Sequence, residues 1–267
     1  MYRGIDLKIE DRTLFEHSSN YSSILDAKKT NISTTFKDIL MNENQLDAEK
    51  IIQAWFPSDR YDVFISHSHK DKDLANDLAN WLYEKFSITS FIDSHVWGYA
   101  NKLLQELNNE YAIKDSATYH YEPAMSNAAN VYLMLSTALS EMIEKSECLL
   151  FINTENTLRN IRIKDSQDES RTASPWIMHE LKVSSLIEKK LVRKALVAES
   201  FEKVLGAESI GFSYNVSTNH LIKADEKIFQ AWLNDFSNSN KDKANDELKQ
   251  HIALDTLYQI IDKLEFE

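Results

Sequence analysis

The sequence predicts an α/β protein built on a doubly wound parallel sheet, with helical extensions at its N- and C-terminal ends. Two observations point there. Short runs rich in β-branched and aromatic residues, each closed by a polar one, occur at 61–66, 88–92 and 148–152. Amphipathic stretches lie between them, and strands alternating with helices build parallel sheets covered on both faces.

Taken in order, the first segment is polar and then turns helical in pattern. Ile39, Leu40, Leu46, Ile51, Ile52 and Trp55 recur at near-helical spacing, Asp47 is placed to cap the last stretch, and Pro57-Ser58-Asp59 closes it. The run Tyr61-Asp62-Val63-Phe64-Ile65-Ser66 is the first expected strand. Leu74, Leu78, Trp81 and Leu82 share one face of the helix after it. The second strand, 88–92, ends at Asp93. A helix from about Asn130 carries Leu133, Leu135, Ala138, Leu139, Met142 and Ile143 into the third strand, 148–152, which ends at Asn153. Ser174 and Pro175 mark the start of a helix running to Leu191, serine as cap and proline at the first helical position. Residues 195–198 form a weaker fourth strand, and 226–264 a helical tail broken at 237–245. The expected organisation is an N-terminal helical extension over 1–59, a main domain over 60–200 and a C-terminal helical region over 201–267. Two polar insertions, 114–130 and 154–173, are expected to be surface loops or lids.

Bulk composition narrows the function classes. The 267 residues, 43% hydrophobic and 27% charged, suit a globular domain with a filled core. A net charge of −12 repels a phosphate backbone, so no nucleic-acid partner is expected. No run approaches the roughly 18–20 apolar residues of a membrane span, and residues 1–6 lack a signal-peptide pattern. A cytoplasmic protein without a membrane partner is expected. The single cysteine, Cys148, sits among Leu149, Leu150 and Phe151, which suits an inert core thiol and leaves no multi-cysteine zinc site. Gly4, Gly98, Gly206 and Gly211 are too scattered for either glycine-rich phosphate loop.

In a doubly wound sheet, ligands bind outside the carboxyl ends of the strands. The candidate positions are therefore Ser66-His67-Ser68-His69, Asp93-Ser94-His95, and Asn153 with the loop it opens. The run 61–68 with Lys70-Asp71 resembles the opening strand and loop of Toll/interleukin-1 receptor (TIR) domains. Ser174-Pro175-Trp176-Ile177-Met178-His179-Glu180-Leu181 is similar to that family's S-x-W-x-x-x-E-L helix start. The likeness covers about 60–200 and implies the family's flavodoxin-like fold. It departs from the family at the short 93–101 loop after strand two and at the two insertions.

The resemblance to bacterial TIR proteins of antiphage systems such as Thoeris implies an enzyme that splits the nicotinamide–ribose bond of NAD. Its product would be ADP-ribose or a cyclic or conjugated form. Glu180 is then the catalytic residue, and Ser66, His67, Ser68, Asp93, Trp97 and Trp176 contact the nucleotide. NAD is the substrate, and neither a cofactor nor a metal is needed. A homo-oligomer and a separate effector or sensor protein are the implied partners. The alternative is a non-enzymatic scaffold that assembles through like-with-like contacts.

Two rival motifs are weaker. His67-Ser68-His69-Lys70-Asp71-Lys72 resembles the H-x-H-x-D-H run of metallo-β-lactamase-like hydrolases, but Lys72 stands where the last histidine is needed. No G-x-S-x-G elbow is present for a serine hydrolase. The run 165–171 reads as a solvated loop, and Tyr119-His120-Tyr121 is a candidate lid.

Overall fold

Five strands, every pair parallel, make the central sheet: β1 (Arg3–Lys8), β2 (Val63–Ser66), β3 (Ser90–Ile92), β4 (Cys148–Ile152) and β5 (Ile222–Asp225), in spatial order β5-β1-β4-β2-β3. The computed structural model describes residues 3–16, 40–42, 45–56, 60–115, 118–161, 169–187, 213–238 and 246–264. The helices are α1 (Ala48–Trp55), α2 (Lys72–Phe86), α3 (Ser94–Tyr111), α4 (Tyr121–Lys145), α5 (Pro175–Leu186), α6 (Glu226–Asn238) and α7 (Asp246–Leu264). This is the doubly wound α/β arrangement that the alternation of strands and helices predicts.

The order follows from burial. All five residues of β4 are buried, which suits a strand paired on both edges and covered on both faces. β2 lies on one side of it, in register Phe64 to Leu149 and Ile65 to Leu150. From β2 the chain goes outward to edge strand β3, then returns across β2 to β4.

The other flank of β4 is filled by β1, with Ile5 beside Leu150 and Leu7 beside Ile152. The sequence pattern predicts no strand there. The segment carries only Ile5 and Leu7 between Arg3, Asp6 and Lys8, too short an alternation to stand out. β5, on the far side of β1, likewise comes from the region expected to be helical. The two extensions do carry helices, α1, α6 and α7, but each also donates a strand. Boundaries at 60 and 200 therefore cut through one sheet.

An aromatic cluster ties these ends together. Phe86 of α2 stacks on Trp232 of α6, centroids 4.0 Å apart and planes 7° off parallel. Phe15 meets Trp81 edge-on at 5.3 Å, and the Trp232 indole N–H donates to the Ala253 carbonyl of α7 at 2.8 Å. Such pairs add about 0.5–1.5 kcal/mol each beyond area burial. Elsewhere α1, α3 and α5 pack on α4. Leu74, Leu78, Trp81 and Leu82 are all buried, as their spacing predicts. Asp47 caps α1 by accepting from the Lys50 N–H at 3.1 Å.

Both insertions carry regular structure. In 114–130, a hairpin of 113–115 with 118–119 leads into α4, which begins at Tyr121 rather than near Asn130. Its first turns are exposed, so they lack the apolar period that marks the later ones. Within 154–173, strands 159–161 and 169–172 join 214–215 in an antiparallel ribbon. Residues 169–171 thus belong to a strand, not to a solvated loop. The stretch after the second strand is also corrected: from Ser94 it is the first turns of α3. The expected strand at 195–198 and the Pro57-Ser58-Asp59 break lie outside the described residues.

Leu7, fully buried in β1, tests this insertion. Leu7→Ala is expected to cost about 2–5 kcal/mol in denaturant unfolding. A loss under about 0.5 kcal/mol, the range of a surface substitution, would contradict a core position.

Candidate functional site

The site is built where β2 and β3 end. Ile65 pairs with Ile92 in register, so the next residues along each strand, Ser66-His67 and Asp93, leave the sheet side by side. Asp93 immediately precedes α3, where the helix N-terminus favours negative charge. Helix α5 closes over this edge. Ser174 caps it, its hydroxyl accepting from the Ile177 N–H at 3.3 Å, and Pro175 occupies the first turn.

Glu180, one turn into α5, is 0% exposed. The Ser66 hydroxyl donates to Glu180 Oε2 at 2.5 Å, joining residues 114 positions apart. His67 Nδ1 stands 3.1 Å from Asp93 Oδ1, and both side chains are buried. Ser94, in the first turn of α3, places a buried hydroxyl at the same edge. Glu180, Ser66, His67 and Asp93, four of the residues singled out in the sequence, thus form one buried polar cluster.

The charge state follows from burial. A carboxylate taken out of water loses its hydration, and this pushes the Glu180 carboxyl well above the usual range. The negative charge of Asp93 raises it further, as does a hydrogen bond between the two side chains; the Ser66 hydroxyl pulls the other way. Glu180 Oε1 has no N–H or O–H donor beside it. A bond between two carboxyls needs a proton on one of them. Burial thus favours the neutral form of Glu180.

Of the remaining candidates, two have other neighbours. Ser68 caps the 3₁₀ turn His69–Asp71, its hydroxyl accepting from the Lys70 N–H at 3.4 Å. Trp176 is half-buried against Tyr132 of α4, centroids 5.9 Å apart. Trp97 lies near the start of α3, and its side chain is outside those described. In the candidate lid, Tyr119 and Tyr121 are exposed, and the Tyr119 hydroxyl donates to Asn109 of α3 at 2.5 Å. Cys148 is fully buried, and burial pushes its thiol up to about 12, so it is no nucleophile at neutral pH.

A second polar network lies beyond β4. Asp71, nearly fully buried, accepts from the Thr154 hydroxyl at 2.5 Å and from Asn156 Nδ2 at 2.8 Å. Asn153 Nδ2 donates to Asp6 Oδ1 of β1 at 2.8 Å. These bonds lock the loops after β2 and β4 to each other and to β1. Asn153 was legible as a strand end. Asp6 was not, because its strand was not.

Among the described residues, no group of three or more His, Cys, Asp or Glu side chains is placed to hold a metal ion. Nor, among them, is any helix long and apolar enough to cross a membrane. No protein-family model matches the chain, and neither the curated proteins nor the solved structures give a match.

Holding Glu180 neutral has a consequence for stability. Above the ordinary Glu range the unfolded chain is ionised while the fold keeps its proton. The stabilisation is full below that range and is lost as pH rises toward the raised value. Glu180→Gln keeps an acceptor for Ser66 and removes this titration. Its melting temperature relative to wild type is expected to climb as pH rises from about pH 5, above the ordinary Glu range. A difference that stays constant over that rise would contradict a buried neutral acid.

Proposed function

We propose that the chain is an NAD-cleaving enzyme of the TIR type, with Glu180 as its catalytic residue. One observation carries the reading: the Ser66–Glu180 hydrogen bond joins the two sequence motifs that resemble TIR domains, at the carboxyl ends of parallel strands. In the reaction the glycosidic bond breaks with its electron pair going to the nicotinamide ring, which leaves neutral. The ribose carbon becomes an oxocarbenium-like cation. Water then adds and releases a proton, giving ADP-ribose, or a hydroxyl or ring nitrogen adds to give a cyclic or conjugated product. A carboxylate beside the ribose stabilises the cation and binds hydroxyl groups. Glu180 supplies that group once its proton is lost, and Ser66 orients it.

The closed cluster leaves Glu180 without solvent contact, so the reading requires α5 or the 66–69 loop to move as substrate enters. A defence role against phage, with activity switched on by assembly or by a sensor, fits an enzyme stored closed. The same burial favours a second reading, a non-enzymatic scaffold in which the Ser66–Glu180 bond fixes α5 on the sheet.

Concentrated purified protein incubated with NAD separates the two. The enzyme releases nicotinamide, detected by chromatography and mass spectrometry, and Glu180→Ala lowers the rate at least 100-fold, roughly the scale of losing one electrostatic stabiliser. Equal release from both proteins would remove Glu180 from the chemistry. Silence from wild type, both purified and in lysates of phage-infected cells, would favour the scaffold.

A further inference from the structure

We propose that the first turns of α4, from Tyr121 to Ala129, are a surface on which a second copy of this chain docks, helix to helix and antiparallel. The inference goes beyond the NAD-cleaving reading and stands whether or not NAD is cleaved.

The helix itself marks the surface. Tyr121, Met125, Ala129, Tyr132, Ser136 and Ser140 recur three or four residues apart, so they form one stripe along α4. Helix α5 covers the C-terminal half of that stripe. Trp176 lies against Tyr132, and His179 Nε2 stands 3.2 Å from the Ser136 carbonyl and 3.1 Å from the Ser140 hydroxyl. At about 1.5 Å per residue α4 is about 37 Å long and α5 about 18 Å, so the stripe runs on past the start of α5. In this overhang Tyr121 is 74% exposed and Met125 37%. Ile113 and Tyr119, of the hairpin that leads into α4, are exposed at the same end.

Charge decides what docks there. The chain carries −12, so most of its surface repels a second copy. From Pro123 to Ser140, however, α4 has no Asp, Glu, Lys or Arg, in a chain 27% charged. Two acidic molecules meet with least repulsion through such a face. A basic partner would instead need carboxylates along the stripe, and Glu122 is the only one on α4 before Glu141.

Side-chain size fits the same occupant. A two-fold pairing sets a patch against itself. With the axis at Met125, Tyr121 falls opposite Ala129 of the second copy, a large side chain over a small one at each end. The two Glu122 residues then stand about 9 Å apart along the axis, about a Debye length at physiological salt. A few helical turns are less than the roughly 20–30 residues a side of a standard interface, so the pairing is reversible. Its near end falls next to Tyr132 and Trp176, at the start of the helix that carries Glu180.

Sedimentation velocity on the full chain, over rising protein concentration, tests this. Wild type is expected to pass from monomer to dimer, and at lower concentration in higher salt, because screening weakens the repulsion between the two acidic molecules. Met125→Glu sets like charges face to face at the axis and should raise the dissociation constant at least about 10-fold. Thr137→Glu, at an exposed position of α4 off the stripe, should leave it unchanged. Met125→Cys adds a second measurement, since the native thiol of Cys148 is buried. Under mild oxidation it should form a disulfide-linked dimer faster than Thr137→Cys does. A monomer at every concentration, a dimer that Met125→Glu leaves intact, or equal weakening by both glutamates overturns the proposal. If Met125→Glu does not fold, the cysteine variants decide, and equal rates of cross-linking overturn it.

Discussion

Everything else in this chain is arranged around the pairing of Cys148–Ile152 on both of its edges. A strand buried on two faces and bonded on two sides needs two parallel neighbours and helices above and below. One neighbour, Val63–Ser66, comes from the adjoining part of the chain; the other, Arg3–Lys8, comes from its beginning. The N-terminal segment is thus a structural part of the sheet, and the Phe15, Trp81, Phe86, Phe229 and Trp232 cluster extends the same core to the C-terminal helices.

Parallel pairing also decides where chemistry can gather. All five strands point their carboxyl ends the same way, so the polar residues that close them collect along one rim. Ser66, His67 and Asp93 gather at one part of that rim, and Asp6, Asp71, Asn153, Thr154 and Asn156 bond at another. The second set is fully engaged in hydrogen bonds that hold loops together. The first contains a buried acid whose ionisation would cost several kcal/mol without a paired cation.

Much of this was legible in the sequence because the physics is local. The run Cys148–Ile152 announces itself by five consecutive apolar residues, and Ser174-Pro175 by cap chemistry. Glu180 was legible by its motif, although burial could not be read from it, since a helix glutamate ordinarily faces water. What escaped was non-local. Arg3–Lys8 and Ile222–Asp225 become strands only because an edge awaits them, and their own alternation is too weak to signal it. The helical start of 121–130 was hidden because its face is solvated. Trp176 shares a motif with Glu180 yet faces Tyr132, since one helical turn fixes spacing along an axis but not what waits across it.

The central claim is that the rim holding Ser66, Asp93 and Glu180 receives the nucleotide. Hydrogen exchange on the Glu180→Gln protein, with and without NAD, tests it directly, because the ligand is not consumed. Slower exchange confined to the segments 66–71, 93–96 and 175–184 is the expected result. Unchanged exchange at saturating NAD, or protection elsewhere with those three segments unaffected, would contradict it.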